Sequence, residues 1–292
     1  MASFIDNDAI QAVFAQPLPD GRFETPVRDY LRSVGARRPL LLLAFAPKGA
    51  GTYFRQAAIH AINGRLIRIS HAQGGRDGTL YLPNVLACCL DDGPLATVTH
   101  IHMQAFPANR YFIEAVGLKP VIMIRNLADM LASFLDMLEV DPVARTDGLN
   151  CQIPRNFCEL DRGTKLDFMI DAIAPWYASY FATWKDFVDS SSDTVCVLHY
   201  RDFCDNPAET LYKAICHAGF ATTRFQCAKS VEQVWKSKEN YRYNKGVSGR
   251  GKDYFSLGHL TRLQKRLSYY PQLSDWMPEL LGDGAPIAAV AE

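Results

Sequence analysis

The chain has 292 residues with 31 basic and 31 acidic side chains, so its formal net charge is zero. This balance excludes a protein that binds nucleic acid through its overall field, and any anion site must be local. The length and the 48% hydrophobic content indicate a soluble globular protein with one well-covered α/β core.

The cysteines and the N-terminal sequence indicate the compartment. The eight cysteines show no Cys-x-x-Cys or other zinc-type spacing, so we expect free thiols, a reducing environment and no metal. The first residues carry acids where a secretory signal needs bases, and no apolar run reaches about 18 residues. We therefore expect a cytoplasmic protein without stable membrane insertion. Residues 1–292 form one predicted domain, and residues 1–38 form its N-terminal helical cover.

The first stretch that indicates chemistry runs from Pro39 to Ala58. The continuous apolar run from Leu40 to Phe45 predicts a buried central strand, and helical spacing begins again at Phe54. A turn of small residues separates the two, with the members Lys48, Gly49, Ala50, Gly51 and Thr52. A strand, a small-residue loop and a helix N-terminus together form a device that binds anions. Because the lysine precedes the glycines, the loop does not fit the Walker pattern.

The remaining elements alternate between strands and helices. Continuous or alternating apolar runs predict further strands at Leu66–Ile69, Thr97–His102, Val121–Ile124 and Val195–Tyr200. Helical spacing predicts helices between them, at Pro26–Val34, Asn84–Leu90, Pro107–Val116, Leu127–Leu138, Phe168–Phe187, Pro207–His217, Ser230–Trp235, Leu257–Tyr270 and Leu273–Leu281. This order predicts a doubly wound parallel sheet of about five strands, with ligands beyond the carboxyl ends of the strands. That edge carries Lys48, His102, Arg125 and Tyr200.

Two long segments are predicted to be irregular. Residues 141–164 are polar and read as a substrate-side loop, and residues 236–256 interleave bases, glycines and aromatic residues. The second segment taken alone is typical of a mobile surface loop, although its aromatic residues argue against a purely solvated role.

Motifs along the chain resemble, in their order, those of the sulfotransferase family that uses 3′-phosphoadenosine 5′-phosphosulfate (PAPS). Pro47 to Tyr53 resembles the first loop, PKSGTTW, and Arg125 to Ser133 matches the element R-N-x-x-D-x-x-x-S. Trp176-Tyr177 and the segment from His199 to Asp202 resemble the WY helix and the YED segment. Asn244 to Lys252 resembles the late loop, R-K-G-x-x-G-D-W-K.

The resemblance implies the fold of that family and a reaction. A sulfuryl group would pass in line from PAPS to a hydroxyl or amine of a small-molecule, lipid or carbohydrate acceptor, with adenosine 3′,5′-bisphosphate (PAP) as the product. Lys48 would stabilise the leaving oxygen. Arg125 and Ser133 would bind the 3′-phosphate. The implied cofactor contacts are Lys48, Gly49, Ala50, Gly51, Thr52, Tyr53, Arg125, Ser133, Tyr200, Ser230, Lys245 and Gly246.

The sequence departs from the family motifs at several positions. Ala50 and Gly51 replace a glycine and a threonine, which removes one hydroxyl from the first loop. Asn244 replaces the late-loop arginine, whose charge would then come from Arg242 or Arg250. Tyr53 replaces a tryptophan and keeps an aromatic face for the adenine.

A histidine at the end of the third strand is the predicted general base, because its pKa lies near neutrality. Counted back along the sequence from Arg125, His102 lies closest to the position of the family's catalytic histidine. The dipeptide Thr99-His100, however, better matches the T-H pair of the family. The two histidines lie one pleat repeat apart on the same strand face. His102 is the predicted base and His100 is the alternative.

Two other functions fit the strand, loop and helix device. A P-loop kinase for a nucleotide or small molecule would need Mg²⁺ ligands and a lysine after the glycines, and neither is evident. A non-catalytic nucleotide-binding module would keep the fold without the chemistry. The sequence identifies neither the acceptor nor an oligomer, and it leaves open whether four aromatic residues line a pocket or the core: Phe106, Tyr111, Phe157 and Tyr254.

Overall fold

The structure, a computed structural model, describes residues 24–70, 78–141, 152–237 and 248–282. Its centre is one parallel sheet with the strand order β2-β3-β1-β4-β5. The strands are β1 (Leu40–Leu43), β2 (Gly64–Leu66), β3 (Ala96–His100), β4 (Val121–Ile124) and β5 (Cys196–His199). The predicted doubly wound parallel sheet is therefore confirmed.

Helices cover both faces of the sheet. The α-helices are α1 (Glu24–Gly35), α2 (Gly51–Ala61), α3 (Leu82–Leu90), α4 (Pro107–Val116), α5 (Leu127–Val140), α6 (Arg162–Phe168), α7 (Ala174–Ser190), α8 (Tyr200–Asp205), α9 (Pro207–His217), α10 (Arg224–Lys236), α11 (Gly251–Tyr254), α12 (Leu257–Ser268) and α13 (Met277–Leu281). A π-helical turn, Met169–Ile173, joins α6 to α7, and two 3₁₀ segments lie at Phe157–Glu159 and Pro271–Trp276.

The leucine run of β1 is fully buried because its side chains alternate between two apolar layers. Leu41 and Leu43 pack with residues of α2, α9 and α10, whereas Leu40 and Leu42 pack with residues of α4, α5 and α7. A strand with both faces covered has no polar positions, which is why the sequence shows a continuous apolar run here.

The carboxyl ends of β1 and β4 form a step in the edge of the sheet. Leu43, the last residue of β1, pairs with Val121, the first residue of β4, so β4 continues beyond β1. The chain leaves β1 toward β2 on one side of the sheet and leaves β4 toward β5 on the other. A parallel sheet binds its ligands at such a topological switch point.

Most predicted elements lie where the sequence placed them, and several boundaries differ. The bounds of β4, α4 and α9 match the predictions, and Gly117 ends α4 in the left-handed conformation (φ 75°). The strand predicted at Leu66–Ile69 ends at Leu66, and β3 ends at His100. α10 begins six residues before the predicted Ser230, at Arg224.

The C-terminal helix predicted from Leu273 is a 3₁₀ segment followed by the short α13. Within the part of the chain that the structure describes, no helix combines the length and the apolar character that crossing a membrane requires.

Candidate active site

The loop after β1 has a strained backbone and leads into a helix without a cap. Lys48 and Ala50 both have left-handed backbones, with φ of 63° and 64°. α2 starts at Gly51 with no side-chain cap and no acidic residue in its first turn. Because the first amides of a helix have no acceptor within it, the start of α2 presents N–H donors and a positive dipole end.

Two buried tyrosines of α7 hold the backbone that precedes this loop. The hydroxyl of Tyr177 donates to the carbonyl oxygen of Pro47 at 3.0 Å, and the hydroxyl of Tyr180 donates to that of Ala44. Burial raises the pKa of Tyr180, so its hydroxyl remains a donor. The WY helix thus fixes the path of the first loop, a role that the sequence analysis did not assign.

Arg125 connects the end of β4 to the first loop. Its Nη1 donates to the carbonyl oxygen of Lys48 at 2.6 Å, and its guanidinium carbon lies 3.9 Å from the ring centre of Tyr200. The arginine is only 8% exposed, and its buried Nε has no hydrogen-bond partner among the described residues. The ammonium of Lys48 lies 3.9 Å from the sulfur of Met137 on α5.

The two candidate histidines lie side by side in different surroundings. Nδ1 of His102 lies 2.7 Å from the carbonyl oxygen of Phe45. A carbonyl can only accept, so Nδ1 carries the proton and the lone pair of the neutral ring is on Nε2. The His100 ring meets the His102 ring at 4.8 Å between centroids and 88° between planes. His100 is 7% exposed and packs against the start of α2. The contact is so close that a Cβ added at Gly51 would lie 2.3 Å from Nε2 of His100.

The first turn of α5 binds backbone amides of the second irregular segment, residues 236–256. Asn126 caps the helix by accepting from the amide of Asp129 at 3.0 Å. The buried carboxylate of Asp129 in turn accepts from the amides of Gly249 and Gly251, at 2.7 and 2.8 Å. Ser133 follows one turn later and is also buried.

Arg250 is engaged in a cluster on the same helix. Its guanidinium bonds Asp136 at 2.7 Å and the hydroxyl of Tyr254 at 3.0 Å, and that hydroxyl donates to Asp136 at 2.5 Å. Arg162 lies 4.8 Å from the centre of the Tyr254 ring. Arg250 therefore fastens its own segment to α5, and its role in place of the late-loop arginine stays a prediction.

The aromatic residue of the first loop motif packs against α10. The ring of Tyr53 meets Phe203 and Trp235 at 5.7 and 6.4 Å between centroids, and its hydroxyl donates to the carbonyl oxygen of Val231 at 3.0 Å. Trp235 is 47% exposed. These residues present an aromatic group at the start of α2 that sequence reasoning found only in part, since Trp235 was assigned no role.

Ser230 lies in the same helix interface but farther from the loop. Its hydroxyl donates to the carbonyl oxygen of Gln226 at 2.8 Å, and it lines an open cavity of about 450 Å³ with His60 and Asn63, at the other end of α2. Its contact with a nucleotide stays a prediction. Asn244, Lys245, Gly246 and Arg242 lie outside the described residues.

The four aromatic residues whose role the sequence leaves open differ in their burial and in their contacts. Phe157 is fully buried in the core, whereas Phe106 is 47% exposed. Tyr111 is partly buried beneath the guanidinium of Arg28, and Tyr254 belongs to the Asp136 cluster.

No protein-family model matches the chain, and no curated protein matches its sequence. Among solved structures, the chain has the fold of the sulfotransferases, with the parallel sheet and flanking helices described above. One of these is the mouse sulfotransferase SULT7A1 complexed with PAP: the TM-score is 0.56 at 14% identity, covering 85% of this chain and 91% of that one. Retinol dehydratase, in complex with androsterone and PAP, matches at a TM-score of 0.42 and 14% identity, over 67% of this chain and 58% of that one.

Proposed function

We propose that the protein is a sulfotransferase that uses PAPS to sulfate a hydroxyl or amine of a small-molecule, lipid or carbohydrate acceptor. The contact between Arg125 and the carbonyl oxygen of Lys48 carries this proposal. It joins the two motifs that would bind opposite ends of one doubly phosphorylated nucleotide, at the switch point of the sheet. The fold shared with a sulfotransferase structure that holds PAP supports the same conclusion.

The residues present fit PAPS. The uncapped start of α2 offers amides to the 5′-phosphosulfate, and Lys48 and Thr52 adjoin it. Arg125 has a buried Nε with no partner among the described residues, and a guanidinium suits bidentate binding of a phosphate. Ser133 on α5 and the aromatic residues Tyr53 and Tyr200 complete the nucleotide site. When bound, PAPS supplies an activated sulfuryl group on a phosphate leaving group.

The chain contributes charge and proton transfer to the reaction. Lys48 holds a positive charge at the loop, where negative charge develops on the leaving oxygen. His102 takes the proton of the acceptor on Nε2, because its Nδ1 proton is held by the carbonyl of Phe45. Tyr177 and Tyr180 keep the loop in place through the carbonyls of Pro47 and Ala44.

Binding is tested by thermal shift. We expect PAP at about a hundredfold its Kd to stabilise the folded protein by about 3 kcal/mol and so to raise its melting temperature. ATP with Mg²⁺ should have little effect. Stabilisation by ATP with Mg²⁺ and none by PAP would favour a kinase and reject the proposal.

Catalysis is tested by transfer of radiolabelled sulfate from PAPS to a panel of alcohols, phenols, amines, sterols and sugars. His102→Ala should lower turnover at least about a hundredfold while PAP still binds. His100→Ala serves as the matched variant, because its ring is buried under α2. Loss of turnover only in the His100 variant would transfer the role of base to that residue. PAP binding without transfer to any acceptor would support the non-catalytic module.

A further inference from the structure

The segment between β3 and α4, residues 103–105, is held in place by side chains of two helices. Two neighbouring residues of α7 bind its backbone. The indole nitrogen of Trp184 donates to the carbonyl oxygen of Met103 at 3.0 Å, and Oγ1 of Thr183 accepts from the amide of Ala105 at 3.1 Å. The segment is therefore fixed to α7 at both of its ends.

Two neighbouring residues of α4 bind the same segment. Nδ2 of Asn109 donates to the carbonyl oxygen of Gln104 at 2.7 Å, and Nε of Arg110 donates to that of Ala105 at 2.6 Å. Asn109 is 1% exposed, and its Oδ1 accepts from the amide of Leu80 at 3.0 Å. Buried and half-buried side chains thus bind the backbone of three residues that belong to no helix or strand.

The side chain of Gln104 is oriented by α7. Its Oε1 accepts from the hydroxyl of Ser179 at 2.7 Å, and this bond also determines where the amino group, Nε2, lies. Nε2 carries two N–H donors, and among the residues that the structure describes none accepts from it. Because Gln104 is only half-buried, a donor of fixed position is presented to a space that a ligand can reach.

Gln104 follows His102, the proposed base, by two residues. Their Cα atoms are therefore no more than about 7 Å apart, whatever the local conformation. Met103 and Ala105 are fully buried in the core, whereas His102 and Gln104 are half-buried. This alternation places the ring and the carboxamide on the same side of the chain, away from the core.

α7 also connects the two residues through the chain that follows β1. Ser179, which binds the glutamine, directly precedes Tyr180, whose hydroxyl donates to the carbonyl oxygen of Ala44. The next residue, Phe45, contacts Nδ1 of His102 through its carbonyl oxygen at 2.7 Å. The same turn of α7 thus fixes the carboxamide and the backbone that orients the base.

We propose that Gln104 determines acceptor specificity, and that it selects an acceptor with a second oxygen, such as a carbonyl, that accepts a hydrogen bond from Nε2. The inference rests on the proposed function and deepens it, since it names a chemical feature of the acceptor. When the hydroxyl to be sulfated lies at Nε2 of His102, the second oxygen lies roughly 7 Å away, the separation of the two residues. An acceptor with an apolar group there leaves the donor unpaired, which weakens binding.

Sulfate transfer from PAPS to two phenols of the same shape tests the inference. 4-Hydroxyphenylacetone has a carbonyl oxygen on its side chain, and 4-isobutylphenol has a methyl group in its place. We expect the wild type to have a kcat/KM about tenfold higher for the ketone. Gln104→Leu keeps the volume but removes the donor, and it should make the two values nearly equal.

Gln104→Glu should reverse the preference. The carboxylate replaces a donor by an acceptor of the same shape, and the hydroxyl of Ser179 can still donate to it. Tyramine, a third phenol, has an ammonium group on a side chain of similar length. We expect this variant to prefer tyramine over 4-hydroxyphenylacetone, whereas the wild type prefers the ketone.

Ser179 is a positioning residue, since it acts through Gln104. Ser179→Ala should lower the preference for the ketone over 4-isobutylphenol to about threefold, and Ser179→Thr, which keeps the hydroxyl, should retain it. Gln272, a half-buried glutamine in the segment Pro271–Trp276, provides the matched control. Gln272→Leu should show the wild-type preference, and the affinity for PAP should be unchanged in all of these variants.

The outcomes distinguish this inference from the proposed function. If the wild type treats both phenols alike, prefers tyramine, or keeps its preference in Gln104→Leu and Gln104→Glu, the inference is overturned. Transfer to other members of the acceptor panel with none to these phenols overturns it as well. If no acceptor is sulfated, the proposed function itself fails. Should Gln104→Leu not fold, the nearly isosteric Gln104→Glu decides the matter through its own preference.

Discussion

The guanidinium of Arg125 donates to the main-chain oxygen of Lys48 at 2.6 Å and stacks on Tyr200. One side chain thus joins the loop after β1, the end of β4 and the start of α8. Because the arginine is buried and always charged, it orders three segments and keeps a positive charge at the switch point.

Replacing this arginine by lysine tests that dual role. Arg125→Lys keeps the charge but loses the planar group that both donates and stacks. We expect PAP binding to fall about tenfold or more and the free energy of unfolding to fall by about 1–2 kcal/mol. Titration calorimetry and urea denaturation measure the two effects. Arg224→Lys, at an exposed ion pair with Glu209, is the control and should leave both quantities unchanged. Unaltered PAP affinity in Arg125→Lys would remove the arginine from the site.

The left-handed backbone of Ala50 predicts a stabilising substitution. An L-residue in this conformation is strained by about 1 kcal/mol, which glycine does not suffer. Ala50→Gly should therefore raise the free energy of unfolding by up to about 1 kcal/mol. Ala228→Gly, at an exposed position within α10, should lower it by a similar amount. Equal destabilisation of the two variants in urea would show that the loop is unstrained.

The buried hydroxyl of Tyr177 predicts a loss of both stability and binding. Tyr177→Phe leaves the carbonyl of Pro47 buried without its donor, which costs about 1–3 kcal/mol. Since Pro47 directly precedes Lys48, PAP affinity should fall as well. Urea denaturation and calorimetry provide the measurements. Tyr269→Phe, at an exposed ring, is the matched control. Wild-type PAP affinity in a destabilised Tyr177→Phe would mean that the loop keeps its path without this bond.

The ion pair between His199 and Glu279 predicts a pH-dependent stability. Its atoms lie 2.5 Å apart, and the hydrogen bond to Glu279 raises the pKa of His199 above its usual 6.5. A raised pKa stabilises the fold fully below pH 6.5, and the contribution is lost as the pH rises through the folded value. The pair is partly exposed, so we expect no more than about 1 kcal/mol.

Glu279→Gln should accordingly lower the melting temperature near about pH 6 and much less near about pH 8.5. Glu232→Gln removes an exposed ion pair with Lys236 that involves no histidine, and its effect should be the same at both pH values. A loss in Glu279→Gln that is the same at both pH values would contradict the assignment.

The strands and the first-loop helix were predictable because local patterns determine them. Continuous apolar runs placed β1 and β4, and Pro207 and Gly117 fixed the ends of two helices. Local signals were weaker elsewhere. β3 ends at His100 rather than His102, although the amide of Ile101 still donates to the carbonyl oxygen of Leu43 at 3.0 Å. α10 extends to Arg224 because Thr223 and Gln226 form a capping box that the sequence analysis overlooked.

The sequence predicts where the two cations of the site lie, but not the residues and contacts that hold the surrounding backbone in place. Arg125 and Lys48 follow strands whose ends must meet in a parallel sheet, so their proximity could be deduced. The partners of Asp129 could not, because its two amides lie about 120 residues away and no local rule connects them. Likewise, Gly51 carries no sign in the sequence that its missing side chain makes room for His100.

Because the edge between β1 and β4 is stepped, the position of Arg125 depends on the pairing register of β4 in the sheet. Because only Leu43 and Val121 pair, β4 projects past its neighbour and brings its final residues over the loop. Slippage of that strand by a single position would turn Arg125 toward the opposite layer of helices, away from Lys48. An insertion or deletion that shifts the register of β4 should therefore break the contact between Arg125 and Lys48, even where the fold survives.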